Sequence, residues 1–157
     1  MPTSEEVLLP AVLAIPLVTA AVAWLLPVRW SERAHVLGSL LLVVIAWTVA
    51  GRVFTSGPLS LDGVLYVDAL SALLLAVVAL VGCAAAVYAV GYLRRDVAEG
   101  RLQADQPRWF ALWYQLFLAT MLAVLLVENL GMMWVAVEAT TLASALLVGF
   151  YRTELAG

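Results

Sequence analysis

The chain has 157 residues, of which 65% are hydrophobic and 12% are charged. A water-soluble domain is about half apolar and about a quarter charged, so this composition excludes an ordinary soluble fold and indicates a membrane protein. The net charge is −3, all eight basic residues are arginine, and the single cysteine, Cys83, cannot form an internal disulfide.

Five apolar stretches have the length of a membrane span, because a bilayer core of about 30 Å needs about 20 apolar residues in a helix. In chain order they are residues 7–26, 35–54, 68–93, 109–127 and 130–151. The predicted fold class is all-α, a polytopic membrane protein with one domain over residues 1–157 that forms a bundle of about five transmembrane helices. The N-terminal sequence Met-Pro-Thr-Ser-Glu-Glu lacks the positive region of a secretory signal, so the first stretch is predicted to be a retained helix.

The polar connections carry local structural signals. Residues 59–66 alternate around Asp62 and Gly63, which is a weak hairpin signal in so short a loop. Asp68 and Asn129 each precede an apolar run, and we predict that they cap the third and fifth helices.

Arginine placement predicts the orientation, since positive residues stay on the cytoplasmic side. The first loop, the third loop and the C-terminus share one side of the predicted bundle, and seven arginines fall there. They are Arg29, Arg33, Arg94, Arg95, Arg101, Arg108 and Arg152. The other side holds Arg52 alone. We therefore expect the N-terminus outside and the C-terminus in the cytoplasm.

Glu138 is the acidic residue that does not lie in a loop or at a predicted helix end. It follows Leu130 by eight residues, which at 1.5 Å per residue places it about 12 Å along the helix, near the membrane middle. An unpaired carboxylate there is expensive, and intramembrane acids usually carry protons or ions. The helical period places Thr141 and several small residues on the same face, so Thr141 is a candidate hydrogen-bond partner and the face is expected to point inward. A purely structural interhelical hydrogen bond is the alternative.

The other polar residues of the predicted helices indicate less about function than Glu138 does. Tyr114 and Gln115 are interpreted as packing polarity within the fourth helix, with hydration or a hydrogen bond across the bundle as the alternative. His35 is predicted at the interfacial start of the second helix, where a lone histidine makes no metal site. We expect no metal, no cofactor and no nucleic-acid partner, because the sequence has no ligand spacing, phosphate loop or nucleophile motif for them.

Three segments resemble a known family. Residues 67–73 (VDALSAL) and 88–93 (YAVGYL) are similar to the start and end of the third helix in antiporter-like subunits of the respiratory complex I superfamily. Residues 129–142 (NLGMMWVAVEATTL), followed by residues 149–153 (GFYRT), resemble the fifth helix of that superfamily. The sequences of these two segments are most similar to hydrogenase-4 component F of membrane-bound hydrogenases.

The resemblance implies that Glu138 is the key fifth-helix carboxylate of a proton pathway, coupled electrostatically to a lysine on a later helix. This chain contains no lysine and departs from the family there. We therefore expect either the N-terminal part of a longer family fold or a carboxylate that pairs with another chain.

The expected function is that of a proton-translocating antiporter-like subunit, or its N-terminal fragment, in the cell membrane. The complex would be a membrane-bound hydrogenase or an NADH–quinone oxidoreductase, with its other membrane subunits and protons as partners and redox chemistry outside this chain. The alternatives are a structural membrane anchor without ion transport and a small oligomeric transporter, although no inverted repeat supports the latter. The electron donor (hydrogen, formate or NADH) and the choice of proton or sodium stay open.

Overall fold

A computed structural model describes residues 4–152 and the side chains of residues 7–149. The elements are α1 (Ser4–Leu25), α2 (Val28–Ser56), β1 (Leu59–Leu61), β2 (Leu65–Val67), α3 (Ala69–Ala98), α4 (Gln106–Leu126) and α5 (Leu130–Arg152). All five helices are long and apolar enough to cross a membrane, which confirms the predicted fold class. The start of the acidic N-terminal sequence and the threonine of the GFYRT segment lie outside the described residues.

The second helix begins earlier than its apolar run. It starts at Val28 rather than at residue 35, and the backbone N–H groups of Trp30 and Ser31 bond to the carbonyl of Pro27. The prediction that His35 lies at an interfacial helix start is therefore wrong, because His35 is inside α2 and only 1% exposed. Apolarity alone could not find this start, since the first turns of α2 are polar.

The bundle is organised around α4. This helix packs against α1 and α5 on two sides and also contacts α2 and α3, while α2 lies between α1 and α3. The core that these contacts bury consists mainly of leucine, valine and alanine. Its fully buried members include Leu9, Val12, Leu42, Ala46, Val49, Leu75, Ala79 and Leu122.

One close helix approach depends on a glycine. A Cβ added at Gly38 of α2 would overlap the side chain of Thr19 on α1, so α1 and α2 can pack this closely only because Gly38 has no side chain. Small residues at such crossings are the usual means by which membrane helices come close together. Gly51, on the same helix, has no atom within 4 Å of such a Cβ.

A short hairpin covers one end of the bundle. β1 and β2 pair antiparallel, and the turn between them is closed by the Val64 N–H donating to the Leu61 carbonyl at 3.0 Å. Asp62 (φ 51°) and Gly63 (φ 64°) both adopt positive φ, as a type I′ turn requires. The predicted hairpin is thus present.

The hairpin is also bonded to the link between α4 and α5. Leu65 forms a β-bridge with Val127, and the Glu128 N–H donates to the Val64 carbonyl at 3.0 Å. The hairpin therefore joins two chain connections at the same end of the bundle.

Both predicted helix caps are present. The Asp68 carboxylate accepts a hydrogen bond from the Ser71 N–H at 2.8 Å at the start of α3. The Asn129 side-chain oxygen accepts from the N–H groups of Gly131 and Met132 at the start of α5. These bonds satisfy N–H groups that a helix leaves unpaired in its first turn.

Gly38→Ala should destabilise the bundle by about 1–3 kcal/mol, the usual cost of overpacking a tight contact. The added methyl group would force Thr19 and the backbone of α1 away from α2. The measurement is thermal unfolding of the detergent-purified protein, followed by circular dichroism. Gly51→Ala is the matched control and should leave the midpoint unchanged. Equal midpoints for the two variants would contradict the close α1–α2 contact.

The cap at Asp68 should make the start of α3 sensitive to acid. The Ser71 N–H holds the pKa of Asp68 below its usual 3.8. A carboxyl whose pKa is depressed on folding stabilises the fold above its unfolded-state pKa, and that stabilisation is lost as the pH falls through the lower, folded-state pKa. Hydrogen exchange at residues 70–72 should therefore accelerate as the pH falls through and below 3.8, beyond the change in intrinsic exchange. Asp68→Asn keeps a capping oxygen and should remove this pH dependence, whereas Asp68→Ala should expose the turn at every pH.

Candidate functional site

Glu138 lies on a face of α5 that no other described helix covers. The side chains around it on that face, Trp134 and Leu142, are 68% and 63% exposed. The opposite face, with Ala136 and Ala143, is buried. The expectation that Glu138 faces the interior of this bundle is therefore not met: its carboxylate points away from α1 to α4.

Thr141, the candidate partner of Glu138, uses its hydroxyl within its own helix. It donates to the Val137 carbonyl at 3.2 Å, a common arrangement for threonine in membrane helices. Neither a hydrogen bond nor an ion pair joins Glu138 to any residue in the described part of the chain. The structure thus places Thr141 near Glu138 on the same face without bonding the two.

α5 is attached to the bundle on one side only. In its apolar window 6% of residues are buried, against 33% to 39% in the other four helices. Its main contact is with α4, and an apolar groove runs along each side of that contact. The groove toward α1 has a volume of about 920 Å³ and includes Leu17, Ala123 and Val135, and the groove toward α3 measures about 320 Å³ and includes Val78 and Val137. A large apolar surface of α5 therefore surrounds the carboxylate of Glu138.

A cluster of polar side chains lies inside the bundle, and of its members the sequence indicated only Gln115 as a residue that could bond across the bundle. His35, Ser39 and Gln115 are each at most 1% exposed. The Gln115 Nε2 lies 3.1 Å from the His35 Nδ1 and 3.0 Å from the Ser39 Oγ. The rings of Phe110 and Tyr114 pack edge-on against the imidazole. This cluster, His35, Ser39 and Gln115, links α2 to α4.

The cluster continues toward the end of the bundle through Glu32, which is almost fully buried. Its Oε2 accepts from the Nε and an Nη of Arg94 at 2.8 and 2.6 Å. Glu32, His35 and Ser39 follow one another at helical spacing, so they form one polar stripe along α2. That spacing was the available sequence signal, and it was missed because the helix was predicted to start after Glu32.

A neighbouring ion pair holds the link between α3 and α4. The Asp96 carboxylate, 4% exposed, accepts from the Arg101 guanidinium at 2.7 Å, and this hydrogen bond raises the pKa of Arg101 above its usual range. In the part of the chain that the structure describes, no group of three His, Cys, Asp or Glu side chains is arranged to hold a metal ion.

The five long apolar helices define a multi-pass membrane protein. Residues 53–101, which include the hairpin and all of α3, match the family described as NADH-ubiquinone oxidoreductase (complex I), chain 5 N-terminus. The resemblance to the N-terminal portion of the complex I antiporter-like family, predicted from the sequence motifs, is thereby confirmed, and the relatives below agree with it.

Curated relatives come from both branches that the motifs indicated. A hydrogenase-4 component F homolog from Methylacidiphilum infernorum is 32% identical over 87 residues, covering 55% of this chain and 18% of the relative. NADH-quinone oxidoreductase subunit L from Mycobacterium tuberculosis is 35% identical over 103 residues, covering 64% and 15%. The Escherichia coli subunit L is 39% identical over 90 residues, covering 57% and 13%. The matched segments thus span less than a fifth of each relative.

Proposed function

We propose that this chain acts as a proton-translocating antiporter-like membrane subunit, or as the N-terminal portion of one. Its complex would be a membrane-bound hydrogenase or an NADH–quinone oxidoreductase in the cell membrane, with other membrane subunits and protons as its partners. The relatives' names support this class of complex. The observation that carries the proposal is the position of Glu138, at the middle of an apolar span and on its uncovered face.

The surroundings of Glu138 support a partner from outside the described residues. A carboxylate that faces lipid loses its hydration without gaining a hydrogen bond or an ion pair. Such groups therefore face other helices or water-filled cavities. Leu142 beside it offers neither a hydrogen-bond donor nor a charge, and the Trp134 indole N–H does not bond to it in the structure. The chain contains no lysine, and none of the described arginines forms an ion pair with Glu138. In the proposal, a helix bearing a cation covers this face of α5.

The chemistry of that pair would be proton loading and release. An approaching cation stabilises the ionised carboxylate, and its withdrawal favours the protonated form. Thr141, one turn from Glu138, can turn its hydroxyl from the Val137 carbonyl to the carboxylate when the face is covered. A redox reaction elsewhere in the complex would drive the movement of the cation.

The test is Glu138→Gln in the assembled complex, in inverted membrane vesicles energised with whichever of hydrogen, formate or NADH the complex oxidises. We expect the complex to assemble and proton pumping, followed by quenching of a pH-sensitive dye, to be abolished, because an amide cannot carry the proton. Glu128→Gln, at the exposed end between α4 and α5, is the matched control and should pump normally. Normal pumping by Glu138→Gln would refute the proposal.

A structural anchor without ion transport is the second candidate function, and the uncovered apolar face of α5 also supports it. Glu138→Gln and two further variants of α5 distinguish this anchor from a proton-carrying subunit. An anchor predicts that Glu138→Gln pumps normally, whereas Gly131→Leu and Ala145→Leu, on the same exposed face, prevent assembly. A proton-carrying subunit predicts loss of pumping in Glu138→Gln with assembly intact.

We also propose that the N-terminus is outside and the C-terminus is in the cytoplasm. Arg29, Arg33 and Arg94 line one cavity at one end of the bundle, so the α1–α2 and α3–α4 connections share that end. The hairpin and the α4–α5 connection share the opposite end. The positive-inside rule then assigns the arginine-rich end to the cytoplasm.

Cysteine labelling in right-side-out membrane vesicles checks this orientation. The buried Cys83 is first replaced by alanine, and single cysteines are then introduced by Ser60→Cys in the hairpin and Gln103→Cys in the α3–α4 connection. A membrane-impermeant maleimide should label the first variant in sealed vesicles and the second only after the membrane is permeabilised. The reverse pattern would invert the proposed orientation.

A further inference from the structure

A small cavity lies between Glu32 and His35, at the outer end of the polar stripe on α2. Residues of α3 and α4, among them Leu93, Phe110 and Ala111, complete its walls. Its volume is about 10 Å³, which is at the lower limit of what one water molecule needs. Its other walls are apolar side chains, so its two functional polar groups are the carboxylate and the imidazole.

The imidazole presents an unpaired nitrogen at this site. His35 is 1% exposed, and its Nε2 has no hydrogen-bond partner among the described residues. Buried polar atoms in native proteins are almost always bonded to protein or to ordered water. The cavity that His35 lines is therefore where a partner for Nε2 would lie.

The opposite nitrogen fixes which tautomer is present. The Gln115 amide group lies 3.3 Å from the His35 backbone carbonyl, which can only accept, so the amide nitrogen must face it. The same nitrogen lies 3.1 Å from the His35 Nδ1, and two N–H groups cannot point at each other. Nδ1 is thus the acceptor, and the neutral imidazole carries its proton on Nε2, as a donor.

The carboxylate offers the matching acceptor. Both hydrogen bonds from Arg94 go to Oε2 of Glu32, which leaves Oε1 for another donor. The Glu32 side chain is 8% exposed, so this oxygen has little access to bulk solvent.

An open polar vestibule adjoins Glu32 on its outer side. It measures about 340 Å³ and is lined by Arg29, Arg33 and Arg94 together with Glu32. Tyr114 is the titratable group that α4 places against His35, and its hydroxyl donates to the Gly82 carbonyl at 2.6 Å. The described side chains of α1 include no titratable group. Glu32 thus separates a water-accessible vestibule from the buried imidazole.

We propose that this cavity is a binding site for one water molecule, which accepts a hydrogen bond from the His35 Nε2–H and donates one to the Glu32 carboxylate. The water extends a hydrogen-bonded path from the vestibule to the His35, Ser39 and Gln115 cluster. The path ends at Gln115, because its amide nitrogen donates to Nδ1 and cannot release a proton. The site is independent of Glu138 and of the function proposed for it.

The test uses the full chain in lipid bilayers, labelled with ¹⁵N-histidine and measured by solid-state NMR. His35 is the one histidine of the sequence, so its two ring nitrogens give the histidine signals without further assignment. At neutral pH we expect one protonated nitrogen, Nε2, that receives magnetisation from water protons. In the unmodified chain, a protonated Nδ1 or an Nε2–H that receives no magnetisation from water protons would overturn the proposal.

Variants show whether the water lies between the two side chains. Glu32→Gln keeps an accepting oxygen and should keep the transfer from water, whereas Glu32→Leu should lose it. Ala89→Val fills the cavity from α3 without touching the ion pair and should also lose it. Ala85→Val, one turn away on an exposed face of α3, is the control and should keep it. Unchanged transfer in both Glu32→Leu and Ala89→Val would place the water elsewhere and refute the site.

Discussion

The hydrocarbon interior of a bilayer provides no hydrogen bonds, so each polar group within it must find a partner in the protein or in enclosed water. The described chain meets this constraint in two different ways. On α2, Glu32, His35 and Ser39 turn inward and bond to α3 and α4. On α5, Glu138 turns outward, where α1 to α4 offer it nothing. The protein partners of the first arrangement lie within this chain. In the function proposed above, the partner of Glu138 comes from beyond the described residues.

Neighbouring helices bury α1 to α4 more fully than they bury α5, in line with the inward-facing polar groups of α2 and the outward-facing Glu138 of α5. α1 to α4 bury a continuous core of leucine, valine and alanine, with α4 at the centre. α5 adds to that core through a narrow face of small residues, Ala136 and Ala143, and leaves its large side chains uncovered. Two apolar grooves flank its contact with α4. This geometry supports the proposal made above of a subunit within a larger membrane complex.

The sequence predicted the number of helices, the hairpin and both helix caps, because each depends on local signals. Apolar run length, an Asp-Gly pair and a capping residue before each run are all visible without tertiary structure. The start of α2 and the burial of His35 could not be predicted in that way, since the first turns of α2 are polar and their partners come from distant helices. Glu32 pairs with Arg94, which is 62 residues away. The facing direction of Glu138 was also missed, because small residues occur on both sides of α5 and the helical period does not say which side packs.

The bonds between the hairpin and the α4–α5 connection determine how α5 can move. Val127 forms a bridge with Leu65 of β2, and the Glu128 N–H donates to the Val64 carbonyl in the turn before it, so the connection that leads into α5 is anchored to the hairpin. A rotation of α5 about this anchored connection would displace each residue in proportion to its distance from the connection. Glu138 lies about 12 Å from the pivot in a span of about 30 Å, so it travels roughly two fifths of the distance covered by the far end. Such a rotation would therefore shift the carboxylate by less than half of the displacement at the far end of the span.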